Sequence, residues 1–173
     1  MQAVEFRCEL RDPDLARLLL GAMGALSAGT IEGDDTHFRV PAGFLKRRTA
    51  PGEPTDYVLY NKPARVTPRM TRFEVMTETD ARVQLGSAEM PVWVTVRKTR
   101  EIYLVNGINV YLDRVEGLGW FFKAEVIVSP RVNVIKAHER INGVRDELAN
   151  AFGEAVSGSY AELLADALQQ ESA

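Results

Sequence analysis

The sequence reads as an α+β domain dominated by an antiparallel sheet or a closed β-barrel. Three observations lead there. Short segments that alternate apolar with charged residues recur along the chain, and residues two apart on a strand share one face. Turn-forming clusters separate those segments at close intervals. Helical patterns lie mostly near the two ends, which suits helices packed against a sheet rather than a parallel α/β repeat.

From Ala3 to Leu10 the residues Val4, Phe6, Cys8 and Leu10 form an apolar face opposite Ala3, Glu5, Arg7 and Glu9. Pro13 to Ala28 is expected to be a helix. Asp12 serves as its N-cap, Pro13 takes the first helical position, and Gly29 is its stop. Strands are expected at His37–Val40, Phe44–Arg48, Tyr57–Lys62 and Arg69–Thr77. Thr79 to Ala88 suits a short helix. Three strong strands follow at Val92–Val105, Asn109–Arg114 and Phe121–Val128. Asn106-Gly107 joins the first two, because both residues tolerate the positive φ of a type I′ hairpin turn. Val132–Phe152 and Ser159–Gln169 complete the chain as helices.

A chain of 173 residues with 46% hydrophobic content forms one domain, residues 1–173, with room for a sizeable core. Its net charge of −3 argues against non-specific nucleic-acid binding, which needs a basic surface, although a local basic pocket stays open. The single cysteine, Cys8, rules out an internal disulfide framework and suits a reducing cytosol. Residues Met1 to Glu5 lack the basic start and apolar run of a signal peptide. The longest apolar stretch, around Leu18 to Leu26, is too short to span a bilayer. A cytoplasmic protein without a membrane partner is expected.

Long basic residues fall two apart on several expected strands: Lys46 with Arg48, and Lys98 with Arg100. Lys62 and Arg69 stand on neighbouring strands. Each pair taken alone fits a solvated outer face better than a ligand site. Carboxylates on the same kind of face change the picture: Glu5, Asp113 and Glu125. A sheet closed with this face inward would crowd cations in a low dielectric, and a bound triphosphate would offset that crowding. Arginine forks and lysine point charges both suit phosphate oxygens, and the carboxylates suit a divalent ion bridging them.

The order of these residues resembles the CYTH superfamily, the triphosphate tunnel metalloenzymes, over nearly the whole chain. That family includes class IV adenylyl cyclases, thiamine triphosphatases and inorganic triphosphatases. Asp35-Thr-His-Phe38 is similar to its Asp-Thr-Tyr-Phe segment, and Gly43-Phe-Leu-Lys-Arg-Arg48 to its Gly-x-Leu-Lys-x-Arg strand. Tyr60-Asn-Lys-Pro63 resembles Tyr-x-Arg-Pro, Pro68-Arg-Met-Thr71 resembles the following Arg-x-Ser, and Lys98-Thr-Arg100 resembles Lys-x-Arg. Asp113-Arg-Val-Glu-Gly-Leu-Gly119 resembles Asp-x-Val-x-Gly-Leu-Gly and Ser159-Tyr-Ala-Glu-Leu-Leu164 the closing Ser-Tyr-x-x-Leu-Leu, both closest to the class IV cyclase branch.

The resemblance implies a closed antiparallel barrel of about eight strands forming a polar tunnel, with helices outside. It further implies a small-molecule triphosphate or nucleotide as ligand, Mg²⁺ or Mn²⁺ as cofactor, and is compatible with a homodimer. Arg7, Lys46, Arg48, Lys62, Arg69, Lys98, Arg100 and Lys123 would position the phosphates. Glu5, Asp113 and Glu125 would hold the metal, with Glu5, Glu125 and Arg100 at the reacting centre. The implied activity is that of a metal-dependent phosphohydrolase or cyclase-like enzyme; the alternative is a degenerate protein that binds nucleotide or polyphosphate without turnover.

Two departures from the family pattern support that alternative. The N-terminal Glu-x-Glu-x-Lys strand here reads Ala3-Val-Glu5-Phe-Arg7, and the Glu-x-Glu that follows Gly-Leu-Gly here has Lys123 and Glu125. One expected carboxylate is lost on each strand, one of them to an opposite charge.

Among the other reactive residues, Cys8 is expected to be a small buried hydrophobe and His37 a packing residue. Two histidines and one cysteine far apart suggest no zinc site. Arg47 is expected to face solvent, and Tyr160 suits either packing or closure of the tunnel.

Overall fold

The computed structural model describes all 173 residues. In chain order the elements are β1 (Gln2–Leu10), α1 (Pro13–Ala22), β2 (Leu26–Phe38), β3 (Phe44–Thr49), β4 (Asp56–Asn61) and β5 (Arg69–Thr77). Then come α2 (Glu78–Leu85), β6 (Val92–Val105), β7 (Ile108–Val115), β8 (Gly119–Ile127), α3 (Val134–Leu148), β9 (Phe152–Ala155) and α4 (Tyr160–Glu171).

The strands pair antiparallel in the order β5-β4-β3-β2-β6-β7-β8-β1, and β5 returns to β1, so eight strands close a ring. The expected closed architecture is present. Closure removes sheet edges and fixes which face of each strand looks inward. The short β9 lies outside this count, pairing with the far end of β1 at Cys8 and Leu10.

The apolar core sits outside the ring. Val4, Phe6, Cys8 and Leu10 of β1 join Val110, Leu112, Phe122, Ala124 and Val126 of β7 and β8. Helices α1 and α3 cover that wall with Ala16, Leu20, Ala137, Ile141, Val144 and Leu148. A second cluster sets α4, through Tyr160 and Ala161, against Val94, Val96, Val115 and Phe121. A third places Ala81 of α2 with Phe38, Leu45 and Met76. Removing Phe122, which is fully buried, would cost about 3–5 kcal/mol, the usual range for deleting a core aromatic side chain. Cys8 belongs to the first cluster, where burial pushes its thiol up to about 12 and leaves it inert.

Local signals account for most boundaries. The Asp12 side chain caps α1 by accepting from the Leu15 backbone N–H at 3.0 Å, with Pro13 at the first position. Asn106 and Gly107 both have positive φ, at 51° and 72°, as the hairpin signature requires. Helices α2 and α4 both start with capping boxes, Thr77 with Asp80 and Ser159 with Glu162.

Two expectations fail. Helix α1 ends at Ala22, not Ala28, because Gly24 takes a left-handed turn at φ 76° and releases the chain into β2. β2 then runs thirteen residues and pairs along β6 from Leu26 with Leu104 to Phe38 with Val92. The segment expected to be helical up to Phe152 ends at Leu148, passes through a 3₁₀ turn at Ala149–Ala151 and becomes β9. No helix is long and apolar enough to cross a membrane.

Candidate functional site

Inward alternation gathers the charged side chains in the ring. Glu5 and Arg7 of β1, Lys46 and Arg48 of β3, Lys62 just beyond β4, Arg100 of β6, Tyr111 of β7, and Lys123 and Glu125 of β8 line one cavity of about 270 Å³. A second, of about 260 Å³, is lined by Asp35, Asp56 and Lys98, and shares Arg48, Arg100 and Tyr111 with the first. The two spaces meet at those three residues and together form the tunnel. In the first cavity six cations face two carboxylates. Asp35, Asp56 and Asp113 pair with Lys46, Arg48 and Arg100 from the surrounding wall, which leaves Arg7 and Lys62 without an ion pair, and a polyanion would offset that remaining charge.

Each cation is held differently. Lys46 and Lys98 both donate to Oδ2 of Asp35, the former at 2.7 Å, and so share one buried carboxylate. Burial opposes the charge on Asp35, but the two ammonium groups prevail and keep its pKa well below the usual carboxylate range. Burial outweighs Asp35 at Lys98 and brings that lysine down to about 7. Arg100 makes a bidentate pair with Asp113 through Nε at 2.7 Å and Nη2 at 2.8 Å. It also stacks on the Tyr111 ring at 4.2 Å. Arg7 lies over the Tyr160 ring at 4.3 Å and donates to the Gly158 carbonyl at 3.1 Å. Arg48 is 44% exposed at the mouth and pairs with Asp56 at 2.9 Å. Lys62 has no ion pair; burial first, then Arg7, lowers it to about 6 despite the opposing pull of Glu5.

The carboxylates expected to hold a metal divide. Glu5 and Glu125 are direct cross-strand partners between β1 and β8. Lys123 Nζ stands between them, 3.6 Å from Glu5 Oε2 and 3.4 Å from Glu125 Oε2. Burial would raise the Glu5 pKa, but Lys123, Arg7, Lys62 and Arg69 together hold it far below the usual range. Glu125 accepts a second bond from the Tyr111 hydroxyl at 2.6 Å. Asp113 does not join this pair. It is fully buried, and its oxygens accept from Arg100 and from the Tyr160 hydroxyl at 2.6 Å, so it orients Arg100 rather than facing an ion.

Arg69 is not among the residues that line the two cavities. Its side chain is 1% exposed, pairs with Glu5 at 3.0 Å and donates to the carbonyls of Arg65, Val156 and Ser157. It ties the segment before α4 to the ring, while its Nη2 is buried without a hydrogen-bond partner. Tyr160 likewise packs behind Arg7 and Asp113.

A divalent ion fits these donors poorly as they stand. No cluster of three His, Cys, Asp or Glu side chains is present, and the ammonium of Lys123 occupies the gap between the two facing glutamates. His37 belongs to no such cluster and lines neither cavity; it is buried in the wall, where burial together with Lys46 lowers it to about 3. Arg47 points out of the ring, packed over Phe38 at 5.9 Å rather than free in solvent.

Sequence reading left Asp35 and Tyr111 out of the site. Both alternate in register with inward neighbours, but Asp35 lies on the stretch of β2 that was not expected to be a strand. Tyr111 sits two residues before Asp113, a spacing that could have revealed it.

A closed ring of antiparallel strands around a cation-rich interior defines a tunnel protein. The family profile for the CYTH domain matches residues 1–151, and the chain belongs to that family. Among solved structures, a protein from Pyrococcus horikoshii OT3 is 21% identical, with a TM-score of 0.72 over 93% of this chain and 98% of that one. A candidate adenylate cyclase from Vibrio parahaemolyticus is 17% identical, with a TM-score of 0.72 over 94% and 97%. A Hippeastrum protein described as a candidate adenylyl cyclase with a dominant triphosphatase activity is 17% identical, with a TM-score of 0.60 over 96% and 95%. At these identities the likeness is one of fold. No protein of curated function matches the chain.

Proposed function

We propose that the tunnel captures the triphosphate or polyphosphate end of a small molecule. The observation that carries this reading is the convergence of Arg7, Lys46, Arg48, Lys62, Arg100 and Lys123 on one cavity that holds only Glu5 and Glu125 in return. Arg100, preset by Asp113, offers a rigid fork, whereas the lysines offer point charges that adapt to the phosphate chain. Lys123 supplies beside the phosphates a fixed charge where two glutamates face each other. An ammonium compensates charge but is no Lewis acid and does not generate hydroxide. Binding without appreciable turnover is therefore the conclusion.

A second reading is a Mg²⁺- or Mn²⁺-dependent phosphohydrolase or cyclase-like enzyme. The cross-strand pairing of Glu5 with Glu125 favours it, and it requires Lys123 to leave the space between them. The two are separated by incubating the protein with tripolyphosphate, ATP and thiamine triphosphate in Mg²⁺ or Mn²⁺. Released phosphate, pyrophosphate and cyclic nucleotide are then measured. Binding with no product above background is expected; sustained metal-dependent turnover would establish the enzyme.

A further inference from the structure

The first cavity is not uniformly charged. Register along β1 divides it into layers: Arg7 pairs with Lys123, Glu5 with Glu125 and Arg69, and Ala3 with Ile127 on one side and Thr71 on the other. Beyond Glu5 one side of the wall turns apolar, while Arg48, Arg100, Tyr111 and Glu125 line the rest of the cavity. Ala3, Ile127, Val58, Val75 and Phe73 line that apolar end, and Val58 and Val75 are themselves cross-strand partners. Ile127 is 37% and Val75 40% exposed, so two large aliphatic side chains stand partly open at the rim. One polar side chain of this end, Thr71, is 7% exposed, and its hydroxyl has no hydrogen-bond partner.

We infer that the ligand is a triphosphate ester of an apolar alcohol. Its phosphates lie among the cations and its hydrocarbon end lies against Ala3, Ile127, Val58, Val75 and Phe73. The inference rests on the proposed phosphate-binding role and adds the chemistry of the other half of the ligand. The two ends of one cavity fit the two ends of one amphiphile. A nucleoside would bring a base and a ribose rich in donors and acceptors, whereas Ala3, Ile127, Val58, Val75 and Phe73 offer no side-chain hydrogen bond, and Thr71 and Tyr60 are the polar groups that border them. The unpartnered Thr71 hydroxyl is placed to reach the ester oxygen where phosphate gives way to carbon. Ala3 is central to this arrangement: a longer side chain there would project into the apolar end, and a carboxylate would remove its character.

Calorimetric titration with methyl triphosphate, hexyl triphosphate and ATP tests it, because the two alkyl esters carry the same charge. Each fully buried methylene strengthens binding about fourfold, so burial of three makes the hexyl ester about fiftyfold tighter than the methyl ester. The double substitution Val75→Ser with Ile127→Ser is expected to shrink that ratio at least fivefold. Equal affinity for the two esters overturns the inference while leaving phosphate capture intact. ATP binding more tightly than the hexyl ester overturns it in favour of a nucleoside. Failure of all three ligands to bind overturns both the inference and the proposed function.

Discussion

Replacing Lys123 with methionine isolates the role of the ammonium between Glu5 and Glu125. The separations are 3.6 and 3.4 Å, and the side chains are 16%, 6% and 19% exposed for Lys123, Glu5 and Glu125. At an effective dielectric near 20, each attraction is about 4–5 kcal/mol before desolvation is subtracted. Removing one partner of a buried pair costs about 3–5 kcal/mol. Glu5 keeps Arg69 and Glu125 keeps the Tyr111 hydroxyl, so the lower end, about 3 kcal/mol, is expected. For a domain of this size that corresponds to a fall in Tm of about 10 °C. The variant then presents two facing carboxylates with no ion between them. Mn²⁺ at about a hundred times its Kd would restore about 2.7 kcal/mol, most of the loss. Thermal unfolding of parent and variant, each with and without Mn²⁺, reads both effects. Stabilisation of the parent by Mn²⁺ to the same degree as the variant would refute the idea that Lys123 holds the cation position.

Other consequences follow from the same geometry. Arg48 pairs with Asp56 at a half-open mouth, so Arg48→Ala is expected to change stability by less than about 1 kcal/mol while removing most of the Tm rise caused by tripolyphosphate; calorimetry of both proteins checks this. Asp113→Asn is expected to weaken tripolyphosphate binding about tenfold by loosening the Arg100 fork, and a recovery of affinity in Asp113→Glu would mark the effect as one of positioning. Lys62 faces Arg7, Arg69, Glu5 and Glu162, and its folded pKa of about 6 lies below the usual lysine value near 10.5. Between those values the unfolded chain holds the extra proton, so this residue makes the empty protein more stable as pH rises. A bound polyanion favours the charged form, so binding takes up a proton and weakens as pH rises above about 6. Titrations at pH 7.5 in buffers of different ionisation enthalpy measure that uptake, and an unchanged uptake in Lys62→Met would exclude Lys62 as its source.

The parts of this molecule legible in its sequence are those set by local rules. Alternation on β1, β3 and β6 places Glu5, Lys46, Arg48, Lys98 and Arg100 on one face, and closure turns that face inward. Asn106-Gly107 and Asp12-Pro13 mark their turn and cap without help from the rest of the fold. β2 was hidden because Gly29, Gly33 and the acidic pair Asp34-Asp35 carry little strand propensity of their own, and the long partner β6 imposes the conformation. β9 is four residues long and is defined by its contact with β1. Charge type alone also does not show which neighbours hold a side chain. Asp113 and Arg69 have the right chemistry for a metal and a phosphate, but each is taken up by neighbours distant in sequence, Tyr160 for the first and Val156 and Ser157 for the second.

The most direct test of the tunnel as a polyphosphate site is isothermal titration of the parent protein with tripolyphosphate in EDTA at fixed ionic strength. One molecule bound per chain, with affinity lost in the Arg100→Ala protein and retained when sulfate replaces chloride as the background salt, is the expected result. No detectable heat or thermal stabilisation at millimolar tripolyphosphate, by a protein that is folded, would contradict the account.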